Sequence, residues 1–181
     1  MSKNIPTPEE CIPLLKKYGA TETIIGHLKQ TAKVAVFLGK KLAEKGEEID
    51  LPLLEASALL HDIDKKITLD DHSKKHAVEA EAILKKEGFP KIAEIVRQHR
   101  LGWIRENQFS GWEAKLVYYS DKRVRHDQIV SLEERFEYLL ERYGSISKEA
   151  RESILKAKPK VFELEEEIFS KIDVDKNLKG I

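Results

Sequence analysis

Apolar residues recur at intervals of three and four along almost the whole chain, and no run alternates apolar and polar between turn residues. The pattern therefore predicts helices throughout and no convincing strand. Residues 8–18 read as a short first helix. A longer one follows over about 22–45, where Ile24, Ile25, Leu28, Ala32, Ala35, Leu38 and Leu42 share a face, Gly46 stops it and His27 lies one step off the stripe. Asp50 is placed to cap 51–62, with Pro52 in the first turn and His61 and Asp62 at the end. A connector over 63–72 leads to Ser73, read as the N-cap of a helix that Gly88 ends, with His76 in its first turn. Pro90 opens the next helix, which carries His99 near its end. After a loop holding Trp103 and Phe109, Ser110 and Glu113 fit a capping box for 112–124, which contains Asp121. Ser131 and Glu134 fit a second box, for a helix ending at Gly144. Beyond it the expectation is two helical pieces split at Pro159 and a polar tail, with the Glu-rich 163–167 a solvated face. The fold class is all-α: one domain over 1–181, with a core at about 20–145 and a C-terminal helical extension over 146–181.

Charge changes the picture in one respect. The 181 residues hold 32 Lys+Arg and 32 Asp+Glu, a formal net charge of +0, so the general basic excess of a nucleic-acid binder is missing and nucleic acid is not the expected partner. An anionic ligand has to be held by a local site. Hydrophobic residues at 41% suffice for a folded core. The lone Cys11 allows neither an intrachain disulfide nor a cysteine zinc site, and no signal peptide or long uncharged apolar run is seen. These features point to a cytoplasmic protein without a membrane partner.

Candidate chemistry comes from the histidines. His27, His61, His76 and His99 fall on four different predicted helices, each with an apolar face, so packing can bring their imidazoles into one buried cluster. Asp62 and Asp121 add carboxylates at similar depth. Four imidazoles and two carboxylates exceed one tetrahedral zinc site and suit a pair of first-row transition metals sharing a carboxylate, with Asp62 as the natural bridge. Such a pair, about 3.5–4 Å apart, holds a hydroxide at neutral pH and stabilises phosphoryl displacement.

The order His27, His61-Asp62, Asp121 on successive helices resembles the HD superfamily of metal-dependent phosphohydrolases, and the run LLHDIDK resembles the LLHDIGK motif of its HDIG branch. His76 and His99 match the two further histidines of the dinuclear subgroup. The blocks HDI.K, H..EAE.IL, I..I...HR and YYSDK most resemble small bacterial HD hydrolases that cleave diadenosine tetraphosphate, over His27 to Asp121. The resemblance implies an HD-domain helical bundle with additional C-terminal helices. It implies that His27, His61, Asp62 and Asp121 hold one divalent metal and Asp62, His76 and His99 a second, iron first, with manganese, cobalt, nickel or zinc compatible. Asp62 and Lys65 would carry the catalysis, and Lys65, Arg100 and Arg125 would bind substrate.

Several residues have two readings. Asp64 stands where the family has glycine, either as a tolerated turn residue, the preferred reading, or as a charge acting on the neighbouring ligands. Lys65 is a phosphoryl-neutralising group or an ordinary solvated lysine. Arg125, four residues after Asp121, would share its helical face, whereas Lys122 and Arg123 point elsewhere as surface charges. His72 is a substitute for His76 if Ser73 is not a cap, His126 reads as surface, and Trp103 and Phe109 either stack on a base or cover a core edge. The expected activity is hydrolysis of a small phosphorylated substrate of nucleotide type, such as a dinucleoside polyphosphate. The alternatives are a mononuclear nucleoside monophosphate phosphatase and a non-catalytic binding module. A homodimer is compatible with the helices beyond 148.

Overall fold

The computed structural model describes residues 4–106 and 108–181, and it is all-α apart from one short hairpin. In chain order the elements are α1 (Pro8–Lys17), α2 (Glu22–Glu44), α3 (Leu51–Leu60), α4 (Lys65–Asp70), α5 (Val78–Lys86), α6 (Pro90–Arg97), α7 (Trp103–Glu106), α8 (Trp112–Lys122), β1 (Val124–Arg125), β2 (Gln128–Ile129), α9 (Leu132–Arg142) and α10 (Lys148–Phe169). Side-chain caps fix several starts: Thr7 for α1, Thr21 for α2, Asp50 for α3, Ser131 with Glu134 for α9, and Ser147 for α10.

The segment LPLLEASALL is apolar almost all round, so α3 is driven to the centre, where α1, α2, α6 and α8 pack on it. Gly39 of α2 permits the closest of these approaches, since a Cβ there would meet Leu54 Cδ2 at 2.6 Å. Asp50 has a second role, because its own N–H donates to Glu113 Oε1 at 2.7 Å and ties the start of α3 to α8. Among the described residues, no helix is long and apolar enough to cross a membrane.

Several local expectations are corrected. The connector after Asp62 contains α4. Ser73 does not cap α5, which starts at Val78 behind Ala77 at φ 66°, because the acceptor for its first N–H groups is the distant Asp64. The Ser110–Glu113 box does not form: Ser110 is held by Gln98 at 2.8 and 2.9 Å, and Glu113 is taken by Asp50. Helix α8 stops at Lys122, and Val124 and Arg125 pair with Ile129 and Gln128 as an antiparallel hairpin, so Arg125 does not share a helical face with Asp121.

Pro159 lies inside an unbroken α10; Leu155, whose carbonyl the missing N–H would have met, is exposed, so water can serve that oxygen. The C-terminal region is also less polar than expected, because Glu165, Ile172 and Leu178 are buried. Helix α10 packs on α7, α8 and α9 and its apolar face joins the common core.

Candidate metal centre

Five helical segments deliver the expected ligands to one place. His27 projects from α2, His61 and Asp62 from the turn ending α3, His76 from the turn before α5, His99 from the turn after α6, and Asp121 from the last turn of α8. His27 Nε2 is 3.1 Å and His61 Nε2 3.5 Å from Asp121 Oδ1. Around Asp62 Oδ1 lie His76 Nε2 at 3.1 Å, His99 Nε2 at 3.4 Å and His61 Nε2 at 3.9 Å. Among the described residues three groups lie close enough to share an ion: His27–His61–Asp121, His61–Asp62–His99 and Asp62–Asp64–His76.

Each imidazole is oriented by its other nitrogen. Nδ1 of His27 faces the His126 carbonyl at 3.0 Å, His61 that of Ala58 at 2.8 Å, and His99 that of Val96 at 2.6 Å, while Nδ1 of His76 faces Asp64 Oδ1 at 2.8 Å. A carbonyl or carboxylate can only accept, so all four Nδ1 atoms carry the proton and all four Nε2 lone pairs turn toward the centre. His61 Nε2 is buried without a hydrogen-bond partner, and the Nε2 atoms of His76 and His99 are 2.9 Å apart. Two lone pairs at that distance repel unless a cation lies between them. These donors fit divalent metal ions.

Electrostatics agree. Burial works against charge on Asp62, but Lys65, His61 and His76 together hold it well below the usual carboxylate range. Asp121 is likewise held low against burial by Lys122, His27 and His61. Burial opposes protonation of His76 too, yet Asp62 and Asp64 raise it to about 9. Burial and the neighbouring imidazoles push His99 down to about 4.

Asp64 is the departure from the family motif, and the preferred turn-residue reading does not describe it. Fully buried, it accepts from His76 Nδ1, from Ala77 N at 2.8 Å and from Ala80 N at 3.2 Å. One carboxylate thus orients a ligand and caps α5 across a gap in sequence that no local motif signals.

Lys65 Nζ is 3.3 Å from Asp62 Oδ2 and partly exposed at the edge of the cluster, and the Asp62 charge raises its pKa. Lys122 and Arg123 are buried, not surface charges. Lys122 Nζ donates to Asp121 Oδ2 at 2.7 Å and to the His99 carbonyl at 2.6 Å, bracing two ligands at once; burial lowers its pKa. Arg123 binds Glu165, Tyr119 and the carbonyls of Val130 and Lys176, tying α8 to α10 and the tail. Arg100 pairs with Glu106 at 2.9 Å, and Arg125 lies over the Tyr138 ring at 4.5 Å. His72 is exposed. His126 is exposed as expected, and only its carbonyl serves the cluster. Phe109 packs edge-on to Tyr118 and Trp103 Nε1 bonds the Gln108 carbonyl, which places both at a core edge.

This arrangement has relatives. Residues 24–173 match the HD domain. The chain belongs to the HD-domain family. This HD protein is 37% identical over 98 residues to a tRNA (cytidine(56)-2'-O)-methyltransferase of Thermoplasma volcanium, which is 54% of this chain and 27% of that protein. It is 31% identical over 145 residues to the enzyme of the same name from Picrophilus torridus, 73% of this chain and 40% of that protein. An uncharacterised protein of Methanocaldococcus jannaschii is 28% identical over 94 residues, 52% of this chain and 53% of its own. The HD chain therefore spans well under half the length of the two named enzymes. No solved structure gives a significant match.

Proposed function

We propose that this HD protein is a metal-dependent phosphohydrolase that cleaves a phosphate ester or anhydride of a nucleotide-type substrate. The observation that carries the reading is the common orientation of four Nε2 lone pairs toward two buried carboxylates. His27, His61, Asp62 and Asp121 would hold one metal, and Asp62, His76 and His99 the other. Bound divalent ions supply the positive charge that polarises a phosphoryl group and acidifies water.

The protein's own groups do the rest. Asp62, kept ionised by its cationic neighbours, faces His61, His76 and His99 and can serve both halves of the site. Lys65 stays cationic and partly exposed beside Asp62, so it can neutralise a transferring phosphoryl oxygen. Lys122 is committed to Asp121 and His99 and acts as a positioning residue. The finer assignment is a dinucleoside polyphosphate with iron at both positions; a mononuclear nucleoside monophosphate phosphatase and a non-catalytic module are the rivals.

The relatives' names speak of tRNA, against the expectation drawn from zero net charge. This chain matches only 27% and 40% of those proteins, and its own imidazoles, carboxylates and lysines are suited to phosphate chemistry. The test measures metal content first and then a panel of mononucleotides, dinucleoside polyphosphates and cyclic phosphates. About two metals per chain and cleavage abolished in H61A and D62A support the reading. Fully metallated protein that cleaves nothing on the panel defeats it.

A further inference from the structure

Of the eight arginines in this chain, Arg97, Arg100, Arg105 and Arg123 each pair with a glutamate. Arg125, Arg135 and Arg142 differ. Among the described residues none of the three forms an ion pair, yet all three gather on one ring, with guanidinium carbons 4.5, 5.6 and 5.8 Å from the centre of Tyr138. Arg142 Nη1 also donates to Tyr138 Oη at 2.7 Å, and Arg135 Nε is buried with no hydrogen-bond partner. Like charges held together need an offset, which the ring face supplies only in part. A bound anion would supply the remainder.

The cluster meets the metal centre through the hairpin. Arg125 precedes His126, whose carbonyl holds His27. Arg135 and Arg142 are two helical turns apart on one face of α9, about 10 Å by helix rise. With Arg125 from the hairpin they offer three phosphate contacts around one ring. Glu133, Glu134, Glu137 and Glu141 fall on the neighbouring side of α9, where Glu133 pairs with Lys158 of α10 and Glu134 closes its capping box; Glu134 also feels the charges of Arg125 and Arg123.

We propose that Arg125, Arg135 and Arg142, assembled on Tyr138, form a docking surface for the phosphate backbone of single-stranded nucleic acid running past the metal centre. Tyr138 is a scaffold for the guanidiniums and not a stacking platform, since its ring is already occupied. Zero net charge does not oppose this, because binding depends on the local row of unpaired cations. The surface stands whether or not the neighbouring centre hydrolyses anything.

The test is fluorescence anisotropy with the full chain and a labelled single-stranded RNA of about a dozen nucleotides, across a salt series. Three contacts give a slope of log affinity against log salt of about −2, a loss of roughly fifteenfold between 50 and 200 mM salt. R125Q/R135Q/R142Q should weaken binding at least tenfold and flatten the slope. R142Q alone, at an exposed position, should reduce the slope by about 0.7 with the fold untouched. K29Q/K33Q/K40Q, which removes the exposed lysine row of α2 beside Glu55, should change nothing. The proposal is overturned by absence of RNA binding, by unchanged binding in the arginine variants, by loss in the lysine variant instead, or by tripolyphosphate competing as strongly as the oligonucleotide at equal phosphate. Hydrolysis is read separately, so an inactive centre with intact binding defeats only the phosphohydrolase reading.

Discussion

Replacing Asp64 by glycine restores the family residue and should damage this protein. The buried carboxylate accepts three hydrogen bonds, two from the N–H groups of Ala77 and Ala80 and one from His76. Both alanines are fully buried, so the substitution leaves donors that water reaches poorly. A hydrogen bond to a charged group contributes about 1.5–3 kcal/mol and a lost helix cap costs about 0.5–2 kcal/mol. Glycine adds about 0.5–1 kcal/mol through the unfolded chain. Allowing for overlap, D64G should lose about 3–5 kcal/mol in urea denaturation with chelator present.

The second effect is on metal. Freeing the Nδ1 of a ligand imidazole typically costs 10–100-fold in affinity, so the site containing His76 should weaken by that much while the other holds. D64N separates the two roles. Its oxygen can still cap α5, but the amide then meets His76 and favours the tautomer whose Nε2 carries the proton and cannot ligate. D64N should therefore keep most of the stability and lose the metal. If D64G denatures at the wild-type urea concentration, or D64N titrates with metal as the wild type does, the account of Asp64 is wrong.

Other outcomes follow from the same geometry. Chelation should lower the thermal midpoint, with about 2.7 kcal/mol lost from a protein initially held at a hundred times its dissociation constant, and H61A should show a much smaller dependence by calorimetry. R123Q leaves Glu165 buried without its cation and should cost about 3–5 kcal/mol, read by urea denaturation together with faster proteolysis of α10. Burial pushes the Cys11 thiol up to about 12, with Glu10 and Glu55 adding to the shift. The folded state therefore holds that proton while the unfolded state releases it above about 8.5. Stability from this group is complete below that pH and declines as pH rises toward 12; alkylation by iodoacetamide at pH 9 should proceed at the unfolding rate, and rapid labelling of native protein would contradict the burial.

The sequence made the ligand helices legible because apolar periodicity and capping residues are local, and the structure brings His27, His61, Asp62, His76, His99 and Asp121 together. What was hidden is non-local. Asp64 reads as a turn residue because its partners lie twelve to sixteen positions on. Ser110 and Glu113 satisfy the local rule for a capping box, yet Gln98 and the Asp50 N–H compete for them from other segments. Lys122 and Arg123 look like surface charges because periodicity registers only apolar burial, and their acceptors are His99 and Glu165. Pro159 breaks helices where its neighbours are enclosed, whereas here the chain turns that face to water.

Three consecutive residues at the end of α8 face three different parts of the molecule: Asp121 the metal ligands, Lys122 the α6 turn, Arg123 the C-terminal helix and tail. All six candidate ligands precede residue 122, and Arg123, two residues after the last of them, is tied to a chain segment more than forty residues downstream. Events at the two ends of this relay are thermodynamically linked. Loading the cluster with metal should slow amide exchange in α10, and anything that peels α10 away should release metal, so the C-terminal region is a lever on the centre although it contributes no atom to it.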